Sequence, residues 1–130
     1  MILYLDYLFI ILVVSPICEW TIHYTLHLIN NSNHYIHHKQ VRENIVNKKM
    51  NIRIERWPII VIAFCVYYQL YVGIFAFLKY YIIHTILHWY PSYLPSLANH
   101  HNTHHTYSKY NYCVTNIWPD KLFNTLYIKD

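Results

Sequence analysis

The sequence predicts an all-α protein: a membrane-embedded helical bundle around a histidine-rich di-metal site. Three observations predict it. Hydrophobic residues make up 55% of the 130-residue chain and charged residues only 12%, too apolar for an ordinary small soluble domain. Two long apolar runs, residues 1–18 and 58–83, are long enough to enter a bilayer. All eleven histidines fall into four tight clusters: His23 and His27; His34, His37 and His38; His84 and His88; His100, His101, His104 and His105. The clusters read HxxxH, HxxHH, HxxxH and HxxHH. Residues three and four apart share one helix face, where neutral imidazoles can converge on a metal. Histidines serving only packing or polarity would be scattered.

The elements follow in order within a single domain, residues 1–130. The run 1–18 is broken only by Asp6. It lacks the basic start and small-residue cleavage site of a signal peptide. It is expected to be a membrane helix that continues past Pro16, with a kink there, into the first histidine pair; a shallow interfacial helix is the alternative. Residues 20–57 are polar and helical in character. Asn30, Asn31, Ser32 and Asn33 break that stretch, and Asn33 is the expected cap of the helix carrying His34, His37 and His38. Lys39, Arg42, Lys48, Lys49, Arg53 and Arg56 crowd the next segment, with Glu43 and Glu55 among them. Between lipid-like flanks, this reads as a cytoplasmic juxtamembrane segment rather than a nucleic-acid surface.

The run 58–83 carries a topological constraint. His38 precedes it and His84 follows it. If both clusters serve one site, both ends of the run lie on one side of the membrane. Two full crossings need about 40 residues, more than this run holds. A short membrane hairpin or re-entrant segment is expected, turning at Gly73, the only glycine. Its backbone would need cover, which a partner subunit of a homo-oligomer could supply. Pro91 and Pro95 break the chain after His88, and a short helix then carries the last cluster. The tail 107–130 reads as a loop with a short terminal helix. Cys18, Cys65 and Cys113 are odd in number and far apart, so they read as free thiols.

An all-nitrogen ligand set suits iron, zinc, copper or nickel. Ten histidines are too many for one ion and match two ions with four or five imidazoles each. A structural zinc site closes with four ligands, so the count argues against a purely structural role. The two HxxxH–HxxHH halves suggest pseudo-symmetric half-sites, one for each metal. Glu19, four residues before His23, is placed either to accept an imidazole N–H or to give polarity to a helix end. Iron with open positions beside an apolar membrane cavity suggests O2 chemistry on a lipid chain, whose C–H bond the protein must position. The rival reading is a metal-binding or metal-transporting membrane protein without oxygenase activity. A transporter places polar ligands in mid-membrane. Here the histidines flank the apolar runs, which favours the enzyme.

These clusters resemble the fatty acid hydroxylase/sterol desaturase superfamily of membrane di-iron oxygenases. EWTIHYTLH (19–27) is similar to its first box, HYIHH (34–38) to its second, YYIIHTILH (80–88) to its third and HHNTHH (100–105) to its fourth. NYCVTNIWPDKLFNT (111–125) is similar to the family's closing segment, with Cys113 and Asn124 where glycines are usual. The resemblance implies iron ligands at His23, His27, His34, His37, His38, His84, His88, His101, His104 and His105, with His100 extra. It implies two iron ions, O2 as co-substrate, hydroxylation or desaturation of a membrane lipid such as a fatty acyl chain or sterol, and electrons from cytochrome b5 or a similar donor. It also implies a cytosol-facing site at the endoplasmic reticulum or its equivalent. An inactive homologue that keeps its metal is the alternative within the family.

Overall fold

The computed structural model describes residues 3–47, 57–67 and 70–129, and every regular element among them is helical. Helix α1 (Leu3–Phe9), a π-helical turn (Ile10–Val14) and α2 (Ser15–Leu28) run on without a break. Pro16 explains the wide turn. It has no N–H to donate, and its ring would collide with the carbonyl four residues back in a regular helix. The Ser15 N–H instead reaches the Ile10 carbonyl, so the helix widens locally just before Pro16. The stretch Leu5–Leu28 is long and apolar enough to cross a membrane.

Asn30 ends this rod in the left-handed region, at φ 48°. Asparagine tolerates that conformation better than most residues. Helix α3 (Ser32–Asn47) follows at once. Its cap is Asn31, whose side-chain oxygen accepts the His34 N–H at 3.1 Å. The expected cap, Asn33, already lies in the first turn. On the exposed face, Lys39 and Glu43 pair at 3.9 Å. Lys48, Lys49, Arg53, Glu55 and Arg56 lie outside the described residues.

Helices α4 (Trp57–Tyr67) and α5 (Tyr71–Trp89) pack against each other as a helical hairpin. Gly73 does not make the turn, as the sequence suggested; it lies in the first turn of α5. A Cβ there would sit 2.7 Å from Cys65 Sγ on α4. The glycine therefore serves close helix approach rather than chain reversal. A 3₁₀ turn (Pro91–Tyr93), α6 (Pro95–Thr106) and the short α7 (Trp118–Leu122) complete the order. The tail beyond α7 is irregular, so its helix is internal rather than terminal.

Helix α5 is central, touching the π turn, α2, α4 and α6. Among the described residues, Tyr80, Leu87, Ala98 and Val114 form an apolar core cluster, with Ile83, Leu94 and Leu97 packed on it. Many large apolar side chains point outward instead, among them Leu5, Phe9, Leu12, Ile60, Phe64 and Phe75. Much of the interior is imidazole. Nine histidines are buried, with Glu19 and Asp120. Burying that many polar groups is costly unless each finds a partner.

Candidate metal centre

The fold sorts ten of the eleven histidines into two nests of five. His23, His27, His34, His38 and His104 form the first; His37, His84, His88, His101 and His105 form the second. Within each nest, one nitrogen of every ring lies within 4.8 Å of those of the other four. The nests adjoin, with the rings of His38 and His105 centred 4.5 Å apart. All ten histidines singled out in the sequence are thus brought together. His100 joins neither nest.

Helix geometry explains the sorting. Residues four apart lie on one face, so each HxxxH presents both rings to one nest. Consecutive residues diverge by about 100° around the axis. The paired histidines ending each HxxHH therefore point to different nests. His38 joins His34 in the first while His37 enters the second; His105 joins His101 in the second while His104 enters the first. The two sequence halves are pseudo-symmetric, yet each lends one histidine to the other's nest. The expectation of one half per metal is corrected to an exchange.

The nitrogens make a continuous series of close approaches. In the first nest Nε2 meets Nε2 at 2.8 Å for His34 and His27, and at 3.1 Å for both His27–His104 and His104–His38. In the second the separations are 3.0 Å for His84–His88, 3.1 Å for His88–His101 and 2.9 Å for His101–His105. Hydrogen bonding alone does not account for this. His104 Nδ1 lies 2.6 Å from the Tyr110 carbonyl, which can only accept, so Nδ1 carries the hydrogen. Its Nε2 then has a single lone pair, yet it faces two other nitrogens. His23 is oriented the same way, giving its Nδ1–H to the Tyr112 carbonyl. Its bare Nε2 is buried with no hydrogen-bond partner among the described residues.

A cation bound in each nest would resolve this crowding of lone pairs. Two nitrogens held at right angles about 2.1 Å from one ion lie about 3.0 Å apart, and tetrahedral angles would spread them to about 3.4 Å. The observed separations fit neighbouring positions of an ion with five or six ligands. Burial, and next to it the charge of nearby imidazoles, holds the pKa values of His101 and His105 well below the usual histidine range. Burial and His38 do the same at His104, against the Tyr110 carbonyl. These rings are neutral at physiological pH, the form that ligates metal.

The closing segment acts on the nests from outside. Asp120 is fully buried and accepts four hydrogen bonds: Tyr112 N–H at 2.8 Å, Cys113 N–H at 2.9 Å, Thr125 O–H at 2.7 Å and His100 Nε2–H at 3.1 Å. His100 is therefore a partner of Asp120. Glu19 does not meet an imidazole, and it is not idle helix-end polarity. Its carboxylate accepts the Val114 N–H, the Thr115 N–H at 2.9 Å and the Thr115 hydroxyl at 2.7 Å. Two buried acids thus clamp one loop. Sequence reasoning missed Asp120 as a site residue. The available signal was scarcity: the chain has six acids, and one in an apolar tail needs donors to be buried at all. Asn124, where the resemblance leads one to expect glycine, adopts φ 55° and so keeps the glycine-like backbone.

Among the described residues, one cavity lies near the second nest and another reaches the first. One, of about 180 Å³, lies between the π turn and α5 and is lined by Val14, Cys18, Gly73, Ala76, Phe77 and Tyr80, among others. Tyr80 is buried between this cavity and the second nest, its ring 5.3 Å from that of His84. The other, of about 520 Å³, is lined mostly by residues with polar groups and reaches His27, His34 and His38 of the first nest beside Asn31 and Arg42. A model of the fatty acid hydroxylase family matches residues 8–125, nearly the whole chain. No curated protein and no solved structure matches.

Proposed function

The chain belongs to the fatty acid hydroxylase family, and on that premise we propose that it is a membrane-bound, non-haem di-iron oxygenase that hydroxylates or desaturates a lipid with O2. The observation that carries this reading is the pair of adjoining five-imidazole nests with converging lone pairs. Iron bound there would supply the O2 chemistry needed to break an unactivated C–H bond. The protein's own part is binding, orientation and exclusion of water. The apolar cavity accepts a stretch of acyl chain or a sterol edge between the π turn and α5. On α5, Gly73, Ala76, Tyr80 and His84 follow at spacings of three and four, so one helix face leads from cavity to nest. Tyr80 stands at that boundary and separates lipid from the imidazoles.

The other cavity reaches the first nest beside Asn31 and Arg42. An electron donor such as cytochrome b5 would approach there, on the cytosolic face of the endoplasmic reticulum or its equivalent. The outward apolar side chains of α1, α4 and α5 support membrane embedding. The test is metal analysis of protein purified in detergent after growth with iron, beside a His104→Ala/His105→Ala variant, followed by product analysis of supplied lipids. About two irons per chain, lost in the variant, with O2-dependent oxidation of a lipid, is the expected result. One tightly held zinc that survives the variant would overturn the reading.

A further inference from the structure

We propose that the two nests are unequal: the first fills first and holds its ion more tightly, and Asp120 is the positioning residue that makes it so. This rests on the reading that both nests hold metal. The connection is a single peptide unit. Its N–H, from Cys113, donates to Asp120 Oδ2 at 2.9 Å. Its carbonyl, from Tyr112, accepts the His23 Nδ1–H. The N–H and C=O of a trans peptide point in opposite directions, so Asp120 and His23 sit at its two ends. A carboxylate on the N–H end polarises the carbonyl and makes it a stronger acceptor. A stronger acceptor on Nδ1–H fixes the ring and raises the basicity of Nε2, as a carboxylate does when it contacts a ligating histidine directly. Here the same effect is passed through backbone.

The arrangement extends to His104. Asn111, at φ 57°, separates the two carbonyls that serve the first nest, Tyr110 and Tyr112. Its side chain is held at both ends, donating to the His100 carbonyl at 3.1 Å and accepting the Tyr127 N–H at 2.8 Å. Asp120 grips the Tyr112 N–H as well, at 2.8 Å. The second nest differs. Buried Nδ1 atoms of His84, His101 and His105 meet no hydrogen-bond partner among the described residues, as against that of His38 alone in the first nest. The larger cavity likewise reaches three histidines of the first nest and none of the second. Outer hydrogen bonds and access both favour the first nest.

The experiment is anaerobic titration of the detergent-purified apoprotein with Fe(II), repeated with Co(II), whose absorption bands report each site's ligand field. Wild type should bind two ions in two resolved steps. His105→Ala should keep the tight step and His104→Ala only the weak one. Asp120→Asn keeps the size of the side chain but removes its charge; it should weaken the tight step by about 10–100-fold and shift its Co(II) bands, leaving the weak step in place. Glu19→Gln is the control for loop packing, because it clamps the next residues without touching the Tyr112 carbonyl. It should leave both steps where they are. Two equal steps in wild type, or an equal shift from Glu19→Gln and Asp120→Asn, would overturn the proposal while the two-metal reading stands. Fewer than two ions in wild type would overturn both. The wild type and the two histidine variants decide the order of filling even where Asp120→Asn does not fold.

Discussion

The two halves of the molecule are held together by different physics. In the apolar half, α1, the π turn, α4 and the start of α5 turn large side chains outward and meet through small residues, as where Gly73 admits Cys65. In the histidine half, hydrogen bonds join residues far apart in the chain: Trp20 to Thr125, Glu19 to Thr115, His23 to Tyr112. The first half depends on its solvent and on close approach. The second depends on individual polar partners, so single substitutions there should be severe.

The largest effect should come from the nests. His104→Ala or His105→Ala should each remove about one of two bound ions and abolish lipid oxidation, measured by metal analysis and product formation. Loss of both ions from either variant would show that the nests bind as one unit. Next comes Asp120→Ala, which leaves three N–H groups and a hydroxyl without an acceptor. It should cost about 3–5 kcal/mol, read from thermal unfolding in detergent. Glu19→Ala removes the acceptor from two backbone N–H groups and the Thr115 hydroxyl, and should cost about 1–3 kcal/mol.

Acid should act on the histidine half alone. His101, His104 and His105 have lowered pKa values in the fold, so below about pH 6.5 the unfolded chain binds more protons than the folded one. Their contribution to apoprotein stability is fully present above that pH and is lost as the pH falls toward the lowered folded values. The melting temperature should therefore drop progressively on acidification from pH 7.5 to 5, and a flat profile would contradict it. The smallest effect should be Gly73→Ala in the apolar half, about 1 kcal/mol from crowding Cys65. A Cys65→Ala background should relieve it, and additive costs in that double-mutant cycle would mean the helices do not meet there.

Much of the site was legible in the sequence because its grammar is local. Spacings of three and four put histidines on common helix faces, and the divergence of adjacent histidines follows from the helix itself. The supports were not legible. Glu19 stood four residues from His23, which suggested an imidazole partner, yet its donors lie 94 to 96 residues away. Asn33 and Asn31 both suit a cap, and the backbone decided between them. Gly73 suggested a turn because glycine permits one, but its missing side chain was needed for packing.

The sequence by itself therefore determined the helical class, the apolar runs and the ten histidines that face inward, since each depends on periodicity or composition within a few residues. Only the tertiary structure decided which histidines share a nest, that each half lends one ring to the other, and that Asp120 holds the peptide unit beside the first nest while Glu19 holds the residues after it. Those pairings join residues up to 96 positions apart. Nothing local specifies them, because they depend on the path of the whole chain and on the need of buried polar groups for partners.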